Sequence, residues 1–127
     1  MTFPITATLT LVAPPDEGLP NDELPFTATI NVEQASVQKL KFTGAGTHTV
    51  NFGSIAGTGA KFILVAQDVI TGAQPITCTY NTGTVGGANE VSPGGFTTIM
   101  SPVPVAGITS MEITYTANAR VKVWIFS

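Results

Sequence analysis

Ile5-Thr6-Ala7-Thr8-Leu9-Thr10-Leu11 alternates an apolar residue with threonine at every step. A period of two fits a pleated strand with one face in a core and the other in water, whereas a helix would scatter the same residues around its circumference. Working outward, the alternation returns in Phe26-Thr27-Ala28-Thr29-Ile30-Asn31-Val32, again at 37–42 and 47–52, and in Met111-Glu112-Ile113-Thr114-Tyr115-Thr116. Further strands are predicted over 75–80 and 96–100. Two runs differ. Phe62-Ile63-Leu64-Val65-Ala66 and Arg120-Val121-Lys122-Val123-Trp124-Ile125-Phe126 are apolar or nearly so on both sides, so each lies centrally or turns its second face to another chain.

The breaks between these runs are rich in turn residues. Gly44-Ala45-Gly46 predicts a hairpin joining 37–42 to 47–52. Ser92-Pro93-Gly94-Gly95 presets a turn before 96–100, Pro102 and Pro104 close that strand, and the glycine-rich stretch 81–89 predicts a long surface loop. With no helical period anywhere, the fold class is all-β: an antiparallel, jelly-roll-like β-sandwich of eight to nine short strands, forming one domain over residues 1–127. A proline-rich acidic loop at about 13–25 interrupts it, holding four of the eight acids and four of the nine prolines.

Charged residues make up 10% of the 127, against 43% hydrophobic, and the mean hydropathy is +0.32. Ordinary soluble domains are about 25% charged. The exterior is therefore uncharged and polar, which suits a protein that stays assembled with copies of itself or with a partner, because few charges must lose water. Lys39, Lys41, Lys61, Arg120 and Lys122 are spread along the chain at a net charge of −3, so no nucleic-acid footprint is expected. No apolar run approaches the ~20 residues of a membrane span. Met1-Thr2-Phe3-Pro4 lacks the charged start of a signal peptide, so the chain is expected to stay in the cytoplasm or leave it inside something larger.

Candidate chemistry is sparse. Cys78 falls on the apolar side of Ile76-Thr77-Cys78-Thr79-Tyr80 with no basic neighbour, which predicts a buried, reduced thiol and no nucleophile. Asp16, Glu17, Asp22 and Glu23 lack the ligand spacing of a calcium loop, and Asp68, Glu90 and Glu112 show no pairing of the kind glycoside hydrolysis needs. His48, the only histidine, has no Gly-x-Ser-x-Gly beside it. The glycine runs 44–46 and 57–59 lack the lysine and serine of a phosphate loop. No catalytic residue, metal ligand or cofactor is expected. Tyr80 and Tyr115 read as core residues, and Trp124, alongside Lys122 and Phe126, reads as a second covered face or a subunit contact.

The succession Val50-Asn51-Phe52-Gly53, Gly59-Ala60-Lys61-Phe62-Ile63-Leu64-Val65, Ser92-Pro93-Gly94-Gly95-Phe96, residues 101–110 and Ala119-Arg120-Val121-Lys122-Val123-Trp124-Ile125-Phe126 resembles small β-sandwich virion structural proteins of tailed bacteriophages over residues 36–127. The resemblance implies a non-enzymatic capsid decoration or cement protein, or a head- or tail-associated one, assembled in the host cytoplasm and carried in the virion. It implies a homo-oligomer, a trimer first of all, attached to the major capsid protein or another virion protein. The interface candidates are Phe62, Leu64, Lys122, Trp124 and Phe126. The alternative is a tail-associated or carbohydrate-binding sandwich that takes a cell-surface glycan through the loops 53–59 and 83–89.

Overall fold

Prolines and glycines cut the alternating runs into short pieces, and the pieces pair by nesting. The computed structural model describes residues 3–12, 23–57, 59–81, 86–100 and 108–127. Among them are ten strands: β1 (Phe3–Val12), β2 (Glu23–Val32), β3 (Ala35–Phe42), β4 (Gly46–Thr49), β5 (Phe62–Gln67), β6 (Ile76–Asn81), β7 (Gly86–Val91), β8 (Phe96–Met100), β9 (Ser110–Tyr115) and β10 (Ala119–Phe126), with one 3₁₀ turn at Gly53–Gly57. β1 and β2 form a two-stranded ribbon of their own. The other eight form two antiparallel sheets, β3-β10-β5-β8 and β4-β9-β6-β7.

Within these sheets β3 pairs with β10, β4 with β9, β5 with β8 and β6 with β7. The eight strands thus trace one long antiparallel ribbon folded between β6 and β7 and rolled so that alternate pairs fall in opposite sheets. That is the jelly-roll wrap. β10–β5 and β6–β9 pairing then closes each sheet around its two central strands.

This wrap corrects two expectations. β3 and β4 are not a hairpin, because the Gly44-Ala45-Gly46 turn carries the chain from one sheet to the other. Gly44 takes φ 71° there, and its N–H donates to Asn118 Oδ1 at 2.8 Å, tying the corner to the matching crossover between β9 and β10. Each strand gains a C-terminal partner and buries one face between the sheets, which a local hairpin would not achieve. The long loop expected at 81–89 is also mostly strand: β6 runs through Asn81 and β7 starts at Gly86. Of the proline-rich acidic stretch, residues 23–25 open β2, and the remainder lies outside the described residues, as do Pro102 and Pro104.

The core lies between the two sheets. Ile63, Val65, Val121, Val123 and Ile125 of the first sheet meet Ile76, Cys78, Val91, Met111 and Ile113 of the second, each at most 2% exposed. Tyr80, Tyr115 and Leu40 pack at its margin. The Tyr115 ring stacks on Phe42 at 4.3 Å, and His48 sits beside the same Phe42 ring at 5.3 Å. A lone histidine is thereby held as a packing residue.

Candidate assembly face

Because alternate residues of β10 enter the core, the intervening ones share the opposite side, and the register of the first sheet lines them up in rows. Phe126 lies opposite Phe62 and Ala35, Trp124 opposite Leu64 and Val37, and Lys122 opposite Ala66 and Lys39. Thr98 and Phe96 of β8 extend the second and third rows. All five interface candidates read from the sequence, Phe62, Leu64, Lys122, Trp124 and Phe126, therefore stand on one outer face, on the two central strands. Val37 and Phe96, which the sequence reading passed over, flank them at 58% and 66% exposure.

The outer face of the second sheet is its opposite in chemistry. There Thr77 faces Thr114, which faces Thr47, while Thr79 faces Glu112, which faces Thr49; Glu90 and Ala88 extend these rows. Apart from Thr77, which is half-buried, these residues are exposed. One face of the sandwich is a hydroxyl-rich surface suited to water, and the other presents aromatic and aliphatic side chains. An antiparallel sheet tolerates solvent on one side when that side is polar; the first sheet's is not.

One end of this apolar face is sealed from within the chain. Val32, the last residue of β2, is fully buried against Phe62, Leu64 and Phe126, and the Phe62 and Phe126 rings meet at 5.8 Å. Backbone bonds fix the position: the Glu33 and Gln34 N–H groups donate to the Ser127 carbonyl at 2.6 and 3.3 Å, and the Ser127 N–H returns to Gln34 O at 2.9 Å. The next row, Val37-Trp124-Leu64, is left exposed or half-buried.

The other end is basic, which corrects the expectation that the cations are spread out. Lys39 lies directly opposite Lys122, and Lys41 directly opposite Arg120, so four of the five basic residues form a two-by-two block. Lys122 Nζ has Asp68 Oδ1 at 3.8 Å, and a shallow groove of about 170 Å³ runs among the block, Asp68, Leu40 and Val121. Like charges directly opposite on a sheet repel. The signal was present in the sequence as Lys39-Leu40-Lys41 and Arg120-Val121-Lys122, each of which puts two cations on one side of a strand; only the pairing of β3 with β10 brings them together.

The remaining candidates stay apart. Glu90 and Glu112 share the second sheet's outer face with β6 between them, and Asp68 pairs with Lys122 on the far sheet. Among the described residues no three His, Cys, Asp or Glu side chains group as a metal site. Cys78 is fully buried, and desolvation pushes its thiol up to about 11. Gln67, 2% exposed, donates from Nε2 to Gln74 O at 2.8 Å while its Oε1 has no partner. A polar groove of about 450 Å³ lies beside the Gly53–Gly57 turn, where Gln38 Nε2 donates to Asn51 O at 2.6 Å and Ser54 Oγ donates to Gln34 Oε1 at 3.1 Å. Of the two loops proposed for a glycan, only the first is described in full apart from residue 58; the second falls partly outside the described residues. No helix among the described residues is long and apolar enough to cross a membrane. No protein-family model, curated protein or solved structure matches this chain.

Proposed function

We propose that this chain is a non-enzymatic structural protein that works by assembling through the outer face of its first sheet, most specifically as a capsid decoration or cement protein of a tailed bacteriophage. The observation that carries the reading is the contrast of faces: a threonine-coated sheet on one side, and on the other a row of Val37, Trp124 and Leu64 left open, with exposed Phe96 in the next row alongside the cationic block. Trp, Phe and Arg are the residues enriched where proteins meet. The virion assignment draws on the resemblance over residues 36–127, and on a jelly-roll wrap of the kind found in capsid and lectin domains. Mechanistically, an oligomer seated across junctions between capsid subunits adds contact area to each, and several modest contacts held by one ring combine into avidity.

Light scattering on the purified protein across a dilution series tests the assembly half of this reading. A ring, a trimer first of all, that resists dilution is expected; a monomer at every concentration would sink it. Cosedimentation with capsid shells stripped of their small proteins tests the virion half, since a shell that never retains the protein removes the cement role.

The polar groove at Gly53–Gly57 supports a second reading, a module that binds a cell-surface glycan. Its amide-lined walls, Gln34, Gln38 and Asn51, supply donors and acceptors suited to sugar hydroxyls. Glycan-array binding that disappears in Gln38→Ala and Asn51→Ala would move this reading ahead.

A further inference from the structure

We propose that β3 carries a binding site for an acidic polysaccharide, whose charged groups sit on the Lys39, Lys41, Arg120 and Lys122 block and whose hydroxyls reach the amide-lined groove beside Gly53–Gly57. The inference deepens the glycan reading above and rests on it; it holds whether or not the chain assembles.

The block is strained by its own charge. Lys39 faces Lys122 and Lys41 faces Arg120 across the β3–β10 ladder, and like charges directly opposite on a sheet destabilise it. Among the described residues one ion pair answers them, Lys122 with Asp68 at 3.8 Å. The Asp68 N–H donates to Arg120 O at 2.9 Å, which anchors that carboxylate on the β10 side of the block, away from Lys39 and Lys41. Lys39, Lys41 and Arg120 are exposed. Together with Asp68 the block carries a net charge of +3, against −6 for the rest of the chain. In a chain only 10% charged, so concentrated a field draws an anion to one place. The shallow groove of about 170 Å³ among these side chains gives its charged group a seat.

The position of the block says what carries that anion. β3 is an edge strand of the first sheet. Its first half, through Ser36 and Gln38, lines the polar groove of about 450 Å³ with Gln34, Asn51 and Ser54, and its second half holds Lys39 and Lys41. The two grooves adjoin at Gln38 and Lys39, and Ser36 to Lys41 spans about 17 Å of strand. An extended chain lying along this edge meets amide donors and acceptors for hydroxyls at one end. At the other it meets ammonium groups and the Arg120 fork, which match carboxylate or sulfate oxygens. A polymer bearing hydroxyls and acid groups on successive units is an acidic polysaccharide.

Nucleic acid fits less well. The aromatic ring in the polar groove, Phe52, is 5% exposed, so it offers no open face of the kind on which single-stranded bases stack. Four cations on an otherwise acidic chain fall short of the broad basic footprint that a duplex engages.

The test is calorimetric titration of the full-length chain at low salt with two acidic sugars, oligogalacturonate and sulfated isomalto-oligosaccharide, each too short to bridge two copies. The methyl ester of the first and the unsulfated form of the second are the neutral counterparts. At least one acidic sugar is expected to bind tenfold or more tightly than its counterpart. Equal binding of acidic and neutral forms would keep the glycan reading and overturn this inference, and no binding of any of the four would overturn both.

Variants separate the two halves of the site, with circular dichroism confirming the fold. Lys39→Gln with Lys41→Gln removes opposed charges and is expected to weaken the acidic sugar at least tenfold while leaving the neutral one unchanged. Gln34→Ala with Gln38→Ala is expected to weaken both. Acidic-sugar binding that ignores the glutamine pair and is matched by inorganic sulfate would reduce the site to ion exchange at an exposed block, and that would overturn the proposal. A DNA oligonucleotide bound as tightly as the acidic sugars would overturn it too, giving the block to nucleic acid.

Discussion

Single residues set the edges of the second sheet and tune its core. Tyr80 lies directly opposite Gly87 on edge strand β7, and Tyr115 directly opposite Gly46 on edge strand β4. Neither glycine has positive φ; each is needed because a tyrosine ring fills the space of its missing side chain, with Tyr115 Oη 2.8 Å from where a Cβ on Gly46 would stand. Gly87→Ala is therefore expected to cost about 1–3 kcal/mol by overpacking, and clearly less in a Tyr80→Leu background, as a double-mutant cycle by urea unfolding would measure. Equal cost in both backgrounds would discard the ring as the cause. Burial raises the Cys78 thiol from its usual 9.0 to about 11. Above pH 9 the unfolded chain releases this proton first, so the native state binds more protons and stability falls as pH rises. Its contribution is complete below pH 9, and on the order of 2 kcal/mol is lost by pH 11. The stability difference between native protein and Cys78→Ala should shrink by that amount over this window in urea unfolding, and a constant difference would exclude the thiol.

At the scale of elements, what was legible in the sequence was whatever a strand states about itself. The doubly apolar character of 62–66 and 120–126 pointed to central strands or to a second face turned to another chain, and β5 and β10 are the two central strands of the first sheet. What could not be read was the identity of each strand's neighbour. The Gly44-Ala45-Gly46 turn suggests a hairpin because a turn signal says that the chain reverses, not which sheet it rejoins. β7 was missed because Gly86 and Gly87 are poor strand formers, and the Tyr80 ring that covers Gly87 belongs to another run. The cationic block was missed for the same reason: Lys41 and Arg120 meet only through the pairing of β3 with β10. Since that pairing opposes two cations, Lys41→Glu is expected to stabilise the isolated sandwich by about 0.2–1 kcal/mol at low salt. The gain should fade as salt is added, and denaturant midpoints at two ionic strengths would measure it. Stabilisation that ignores salt would mean the gain is not electrostatic.

At the scale of the whole molecule, the proposed function puts stability and assembly on opposite sides of a single strand. Ile125 is fully buried between the sheets, and its neighbour Trp124 lies half-buried on the outer face between Val37 and Leu64. Substitutions one residue apart should therefore fail in different ways. Ile125→Ala opens a cavity in the core and is expected to cost about 2–5 kcal/mol of unfolding free energy, while the chains that remain folded keep the native oligomeric mass. Trp124→Ala gives up cross-strand contacts worth about 1 kcal/mol in the sandwich, yet removes the largest side chain from the assembly face, so dissociation on dilution should shift to at least tenfold higher concentration. Urea unfolding and light scattering, run on both variants, read the two quantities separately. If Trp124→Ala unfolded the protein as readily as Ile125→Ala and left its mass unchanged, the outer face would belong to the monomer's own packing. The cationic block would then be the remaining ground for contact between subunits.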